Sequence, residues 1–414
     1  MKLPVSEHRL ENGLRLVLSP DPAIPVVAFA LYYDVGSRNE ERGRSGFAHL
    51  FEHMMFQGSA NVGKAEHFAH IQGCGGQTNA TTSEDRTNYY ATLPSNQLRL
   101  GLWLEADRMR SLAVTPENFE NQRQTVMEER RERVDDAPYG EAMVALCELS
   151  WGNWAYGHPV IGYWKDLEAC AYEEVVAFHD RFYRPNNAVL AVAGDFEEEE
   201  ALAAVADYFG DIDAGPRQPA PDMHEPRRVG HQTEVVGDEL ARLPLVFVNH
   251  QAPGFGSRDF FAWEVLETAL LRGPSSRAYR RFVVEEQLAV QVSGGFDARR
   301  GPGLFSLTGV ASSAEGLPRI RDAWLEELER VASEPLSRQE WDKVLARAKA
   351  AAVYSVEGVL GRAMQLGRST LYLDDPQWDN RYLEELAKVE PPDVQRVARD
   401  WLQDGWVSLE VHPR

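Results

Sequence analysis

The sequence predicts an α+β fold of two homologous domains, and three observations carry that prediction. The chain has 414 residues, more than one hydrophobic core usually organises. Hydrophobic residues make up 43% and charged residues 26%, the balance of a globular protein with a real core. Strand-like and helix-like stretches then recur in the same order in both halves. Gly36-Ser37-Arg38 returns as Gly256-Ser257-Arg258, 220 residues on, and the helix and strand from Glu174 return from Asp393, 219 residues on. A repeat that long indicates a duplicated domain rather than a solenoid.

The first half opens with a strand pair turning at Gly13 in LENGLRLVL, followed by the β-rich VVAFALYYDVGS. GFAHLFEHMMFQG reads as an apolar helix, and the Thr- and Tyr-rich TNATTSEDRTNYYATL as strand. Helical patterns run from Gln97 to Ser111 and from Pro116 to about Val134, the second with proline in its first turn. A helix from Glu173 to Tyr183 leads into RPNNAVLAVAGD, a turn and a buried strand. AGPRQPAPDMHEPRR, with four prolines and no apolar period, marks a linker. The expected domains are therefore 1–213 and 231–414, joined by 214–230. In the second, LPLVFVNHQ, FFAWEVLETALL, RGPSS and DVQRVARDWLQDGWVSLEVHP restate the order of the first.

Composition narrows the function. Asp and Glu outnumber Lys and Arg by 64 to 43, a formal charge of −21, which argues against binding phosphate backbones. Cys74, Cys147 and Cys170 are too few and ill-spaced for a disulfide framework or a CxxC metal site. The N-terminus MKLPVSEHRLENG has neither the basic start nor the apolar middle of a signal peptide, and the early apolar run from Ile24 to Tyr33 is too short to span a bilayer. The expectation is a cytoplasmic protein with no nucleic-acid or membrane partner. No P-loop, GxGxxG or GxSxG is present, so nucleotide and serine-hydrolase chemistries have no support.

The GFAHLFEHMMFQG helix carries His49, Glu52 and His53 on one face, since residues three and four apart are neighbours there. Two imidazoles at i and i+4 suit zinc, and H-x-x-E-H is the inverse of the commoner H-E-x-x-H zinc-peptidase signature. A catalytic zinc takes three protein ligands, so a third must come from elsewhere. Aligned through Phe56-Gln57-Gly58 and Leu271-Arg272-Gly273, the second half offers Glu264, Glu267 and Thr268 instead. His67 and His70, also a turn apart, have no matching carboxylate and read as surface residues; Glu84, Asp85 and Arg86 read as a structural ion-pair cluster.

HLFEHMMFQGS, GGQTNATTSEDRTNYYATLPSNQLRLGLWLEADRM, NQRQTVMEERRERVDDAPYG and FYRPNNAVLAVAGD together resemble the pitrilysin, insulin-degrading enzyme and mitochondrial processing peptidase family, above all its small bacterial zinc-bearing members. The resemblance covers nearly all of the first half and, more loosely, LLRGPSSRAYRRFVVEEQLAV in the second. It implies a zinc endopeptidase acting on peptides or unfolded segments, each domain a mostly antiparallel sheet packed with helices and the two together forming half of a clam-like chamber. It makes His49 and His53 ligands of one Zn2+ per chain and Glu52 the general base. The third ligand falls on Glu129 in VMEERRE, with Glu128 the rival; the two point about 100° apart on a helix, so only one can face the ion. Seven positions before Glu129, where the family often has a supporting glutamate, stands Gln122.

The resemblance also makes Asn79, Ala80 and Thr81 an edge strand for an extended substrate, with Phe56 lining the site. The family's second domain or partner supplies an arginine and a tyrosine seven residues apart; the aligned positions here are Phe305 and Ser312, and Arg277 and Tyr279 nearby do not share a helix face. The expectation is a subunit that meets a homologous zinc-free partner supplying the pair, or a homodimer. The alternative is a non-catalytic assembly or peptide-binding subunit of the same fold.

Overall fold

In a computed structural model, which describes residues 2–402 and 405–414, the VVAFALYY run is a central strand buried along nearly its whole length, as its β-branched and aromatic content suits. Around it β1 (Ser6–Arg9), β2 (Arg15–Pro20), β3 (Val26–Tyr33), β4 (Gln77–Thr82), β5 (Thr87–Pro94) and β6 (Ala188–Gly194) form a sheet in the order β1-β2-β6-β3-β5-β4. The β2–β6 pair is parallel and the others antiparallel. A second sheet joins β7 (Gly230–Asp238), β8 (Leu245–Ala252), β9 (Gln291–Asp297), β10 (Gly303–Val310) and β11 (Gly405–Pro413) in the order β7-β11-β8-β10-β9, with only β7–β11 parallel. Matching β2, β6, β3, β5 and β4 to β7, β11, β8, β10 and β9 superposes the two topologies strand for strand, with β1 an addition to the first. The duplication seen in the sequence is thus a duplication of fold.

The compact units depart from the expected boundary at 214–230 in two segments. The first unit holds the chain up to Arg130, His158–Asp222 and Val353–Arg381; the second holds Arg131–Gly157, Met223–Ala352 and the chain from Tyr382. Each exchanged segment carries a helix whose apolar face covers a sheet. In the first unit, Val359, Ala363 and Leu366 of the Val359–Leu373 helix pack on Ala28, Ala30, Tyr32 and Ala191, and the Tyr32 hydroxyl donates to the Met364 carbonyl (3.0 Å). In the second unit, Ala142 and Leu146 of the Gly140–Ser150 helix pack on Leu245, Phe247, Leu409 and Val411. An amphipathic helix must bury its stripe on some apolar face, and here each half supplies that helix to the other half's sheet.

Three local features also differ from the sequence reading. TNATTSEDRTNYYATL is not one strand but the hairpin β4–β5, closed by a hydrogen bond from Ser83 N–H to the Arg86 carbonyl (2.9 Å). Its turn lies so close to Gly36 that a Cβ there would sit 2.3 Å from the Ser83 carbonyl oxygen, and Arg38 bridges buried Asp85 (Nη1–Oδ1 2.8 Å) and Asp34. The helix from Pro116 keeps α geometry only to Arg130 and then widens into a π-helical segment, Arg131–Asp135. His67 is buried rather than on the surface, within 3.3 Å of Glu105. Among the described residues no helix is long and apolar enough to cross a membrane.

Candidate metal centre

The HxxEH segment forms α1 (Phe47–Met54), which buries Phe47, Leu50, Phe51 and Met54 in the first core. Phe51 packs 4.3 Å from Tyr183, whose ring lies 4.7 Å from Tyr33, so the apolar stripe is fixed inward. His49, Glu52 and His53 then occupy the complementary face. The helix starts at Gly46, in the left-handed region at φ +89°, where a Cβ would also meet the Ile161 carbonyl at 2.8 Å; glycine is required on both counts.

Glu129 arrives from the Pro116–Arg130 helix, which packs against α1. Its Oε2 lies 3.2 Å from His53 Nε2 and its Oε1 3.8 Å from His49 Nε2. The three donor atoms fall within 4.8 Å of one another, and this is the one such group of histidine, cysteine and carboxylate residues among the described residues. Tetrahedral zinc with ligands at about 2.0–2.2 Å separates them by roughly 3.4 Å, so the cluster has the spacing and the donor chemistry of a zinc site. Side-chain exposures of 13% for His49, 23% for His53 and 16% for Glu129 leave the cluster reachable from solvent. Glu128, the rival, is exposed.

Glu52 stands beside the cluster. Thr82, at the end of β4, donates its hydroxyl to Glu52 Oε2 at 2.5 Å, which leaves Oε1 for other work. Burial pushes the Glu52 carboxyl above its ordinary range, while the Thr82 hydrogen bond and the His53 and Arg86 charges act against that shift. Sequence reasoning stopped at Thr81 and missed Thr82. The signal was available: side chains two apart in a strand share a face, and Ala80, buried in the core that holds α1, points the way Thr82 must point.

The other predicted residues fall out differently. Asn79, Ala80 and Thr81 lie on β4, an edge strand of the first sheet. The Ser83–Arg86 hydrogen bond sets the ladder, and alternation along it turns the backbone groups of Ala80 and Thr82 to the free edge and those of Asn79 and Thr81 toward β5. Asn79 meets that edge through its side chain, whose Oδ1 accepts the Ala80 N–H (2.9 Å). Gln122 is buried, but its amide donates to Asn121 Oδ1 (2.9 Å) rather than to any member of the cluster. Phe56 stacks on Phe68 (4.4 Å) beside His67 and Tyr89.

The second unit keeps the scaffold of the site without its ligands. Glu267 is held by Arg272 through two hydrogen bonds (2.9 and 3.0 Å), Glu264 lies 3.5 Å from the same guanidinium, and Thr268 bonds back to its own helix. Phe305 is buried among Trp263 and Trp324, and Ser312 is exposed. Arg277 is taken by Glu340, with two hydrogen bonds of 2.7 Å.

A duplicated α+β chain with one intact and one degenerate copy of an inverted zinc-peptidase helix defines a recognisable class of protein. Residues 15–161 match Insulinase (Peptidase family M16), and residues 169–348 match Peptidase M16 inactive domain. The chain belongs to peptidase family M16, among its small bacterial members. It is 28% identical to the zinc protease PqqE of Helicobacter pylori over 95% of this chain and 89% of that one. It is 23% identical to a probable mitochondrial-processing peptidase subunit beta of Schizosaccharomyces pombe, over 99% and 91%. The crystal structure of a protease from Helicobacter pylori superposes with a TM-score of 0.94 at 27% identity, covering 99% of this chain and all of that one.

Proposed function

We propose that this chain is a zinc-dependent endopeptidase that cleaves peptides or unfolded polypeptide segments and is the zinc-bearing subunit of a two-subunit, cytoplasmic enzyme. The observation that carries the reading is the convergence of His49, His53 and Glu129 on one point, with Glu52 beside them. His49 Nε2, His53 Nε2 and the Glu129 carboxylate would hold the ion. Bound zinc acts as a Lewis acid toward the peptide carbonyl and lowers the pKa of water. Glu52, steadied by Thr82, takes a proton through Oε1 from the attacking water and returns it to the leaving amine. The free edge of β4 receives the substrate as an added strand, through the Ala80 carbonyl and the Thr82 backbone.

This chain offers no arginine and tyrosine pair at the aligned positions, where Phe305 serves the core instead. That observation favours a homologous zinc-free partner, and relatives include a peptidase named as a subunit. The test is hydrolysis of a quenched fluorescent peptide by the zinc-loaded chain, alone and beside a co-expressed homologue, with Glu52→Gln as the blank. Turnover lost in the variant supports the enzyme. Peptide binding without cleavage in both arms, unchanged by the substitution, would establish the non-catalytic subunit instead.

A further inference from the structure

α1 carries His49 and His53, the proposed metal ligands, but has no cap of its own. Its N-cap is Gly46, which has no side chain to offer the first amides of the helix, and orphan N–H groups buried without acceptors are costly. Glu40, six residues upstream, fills the gap: Oε2 accepts the Gly46 N–H (2.8 Å) and Oε1 the Ala48 N–H (2.7 Å). Oε2 also meets His158 Nε2 at 3.0 Å, and both side chains are completely buried. Beside them Ser45 donates through Oγ (2.6 Å) and N–H (3.2 Å) to Asp166 Oδ2 and accepts the Tyr163 N–H (2.9 Å). The chain entering α1 is therefore clamped from several directions.

A buried carboxylate is an expensive way to finish a helix, because burial disfavours its charge. An ordinary Ser or Asp at the N-cap would satisfy one amide at the surface for less. The arrangement around Glu40 adds a second point of attachment. Two oxygens on two amides fix the rotation of the helix about its axis as well as its end, and the hydrogen bonds from the helix amides and His158 offset part of the burial that still pushes the Glu40 carboxyl above its ordinary range. Rotation matters at this helix. A histidine Nε2 lies roughly 6 Å from the axis, so a 10° turn of α1 displaces it by about 1 Å, several times the ~0.2 Å tolerance of a metal–ligand distance.

We propose that Glu40, held by His158, is a positioning residue of the metal centre, its grip on Gly46 and Ala48 setting the direction in which His49 and His53 meet Glu129. The inference rests on reading that cluster as a zinc site. The test is the zinc dissociation constant of the full chain, measured by competition with a chromophoric chelator, with far-UV circular dichroism confirming the fold. Glu40→Gln keeps the shape but turns an amide NH2 toward one of the two backbone donors, and is expected to weaken zinc about 10- to 100-fold, the range for groups that orient ligands. His158→Leu, which leaves Glu40 in place without its partner, is expected to lose about tenfold; His158→Gln, which restores a donor, should recover to within about threefold of wild type.

Folded Glu40→Gln or His158→Leu protein that binds zinc as tightly as wild type overturns the proposal. So does failure of both to fold, which would assign the pair to the fold and not to the site. Wild-type protein that binds no zinc instead removes the metal reading itself, so the two failures are distinguishable.

Discussion

Thr82→Val isolates the hydrogen bond that steadies the proposed base. The substitution replaces a hydroxyl with a methyl at nearly constant volume, and valine suits a strand, so β4 should be undisturbed. What is removed is a 2.5 Å contact to one oxygen of Glu52, a hydrogen bond to a group that works in its charged form. Such bonds contribute about 1.5–3 kcal/mol, and each 1.36 kcal/mol is tenfold in rate. The expected loss in kcat/KM on a quenched fluorescent peptide is therefore about 10- to 150-fold, the lower end applying if water replaces the hydroxyl at this partly open site. Thr82→Ser, which keeps the donor, should stay within about threefold of wild type. Zinc affinity should not move, because Thr82 touches none of the three proposed ligands. Wild-type activity in Thr82→Val would refute the assignment of Thr82, and an equal loss in Thr82→Ser would show that packing, not the hydroxyl, matters.

Other outcomes follow from the same geometry. Glu129→Gln should weaken zinc more than about 100-fold, while Glu128→Gln, on the exposed side of the helix, should leave it unchanged in the chelator competition. Burial alone would raise the Glu105 carboxyl, but Arg108 at 2.5 Å and His67 outweigh it and hold it below the usual range; burial likewise holds His67 below its ordinary value. Both groups bind protons more weakly folded than unfolded, so stability in urea should fall as pH drops below about 6.5 for His67 and below about 4.5 for Glu105. Glu105→Gln, which strands a buried guanidinium, should cost about 3–5 kcal/mol in the same denaturation assay and flatten the acid limb. Gly36→Ala should lower the melting temperature by several degrees, since its Cβ has only backbone oxygen to meet.

The HxxEH helix was legible because spacing alone puts its polar groups on one face and its apolar residues on the other. The duplication was legible because turn and helix motifs recur at nearly the same offset, 220 and 219 residues. The exchange of the Gly140–Ser150 and Val359–Leu373 helices between units was not, because an amphipathic pattern shows that a helix has a face to bury without saying which sheet receives it. Nor was the partner of Gln122, whose amide turns to the adjacent Asn121. Thr82 could have been found by period-two reasoning from Ala80. Glu40 could not, since nothing in the sequence marks a cap that closes a helix from six residues away and leans on a histidine 118 residues on.

X-ray absorption at the zinc edge of the zinc-loaded chain tests the proposed metal centre most directly. The expected result is one zinc per chain with nitrogen and oxygen ligands only, at about 2.0–2.2 Å, and a spectrum lost together with bound zinc in His49→Ala, His53→Ala or Glu129→Ala. Sulfur scattering from a cysteine site, zinc retained in all three variants, or no stoichiometric zinc in the folded wild type would contradict it.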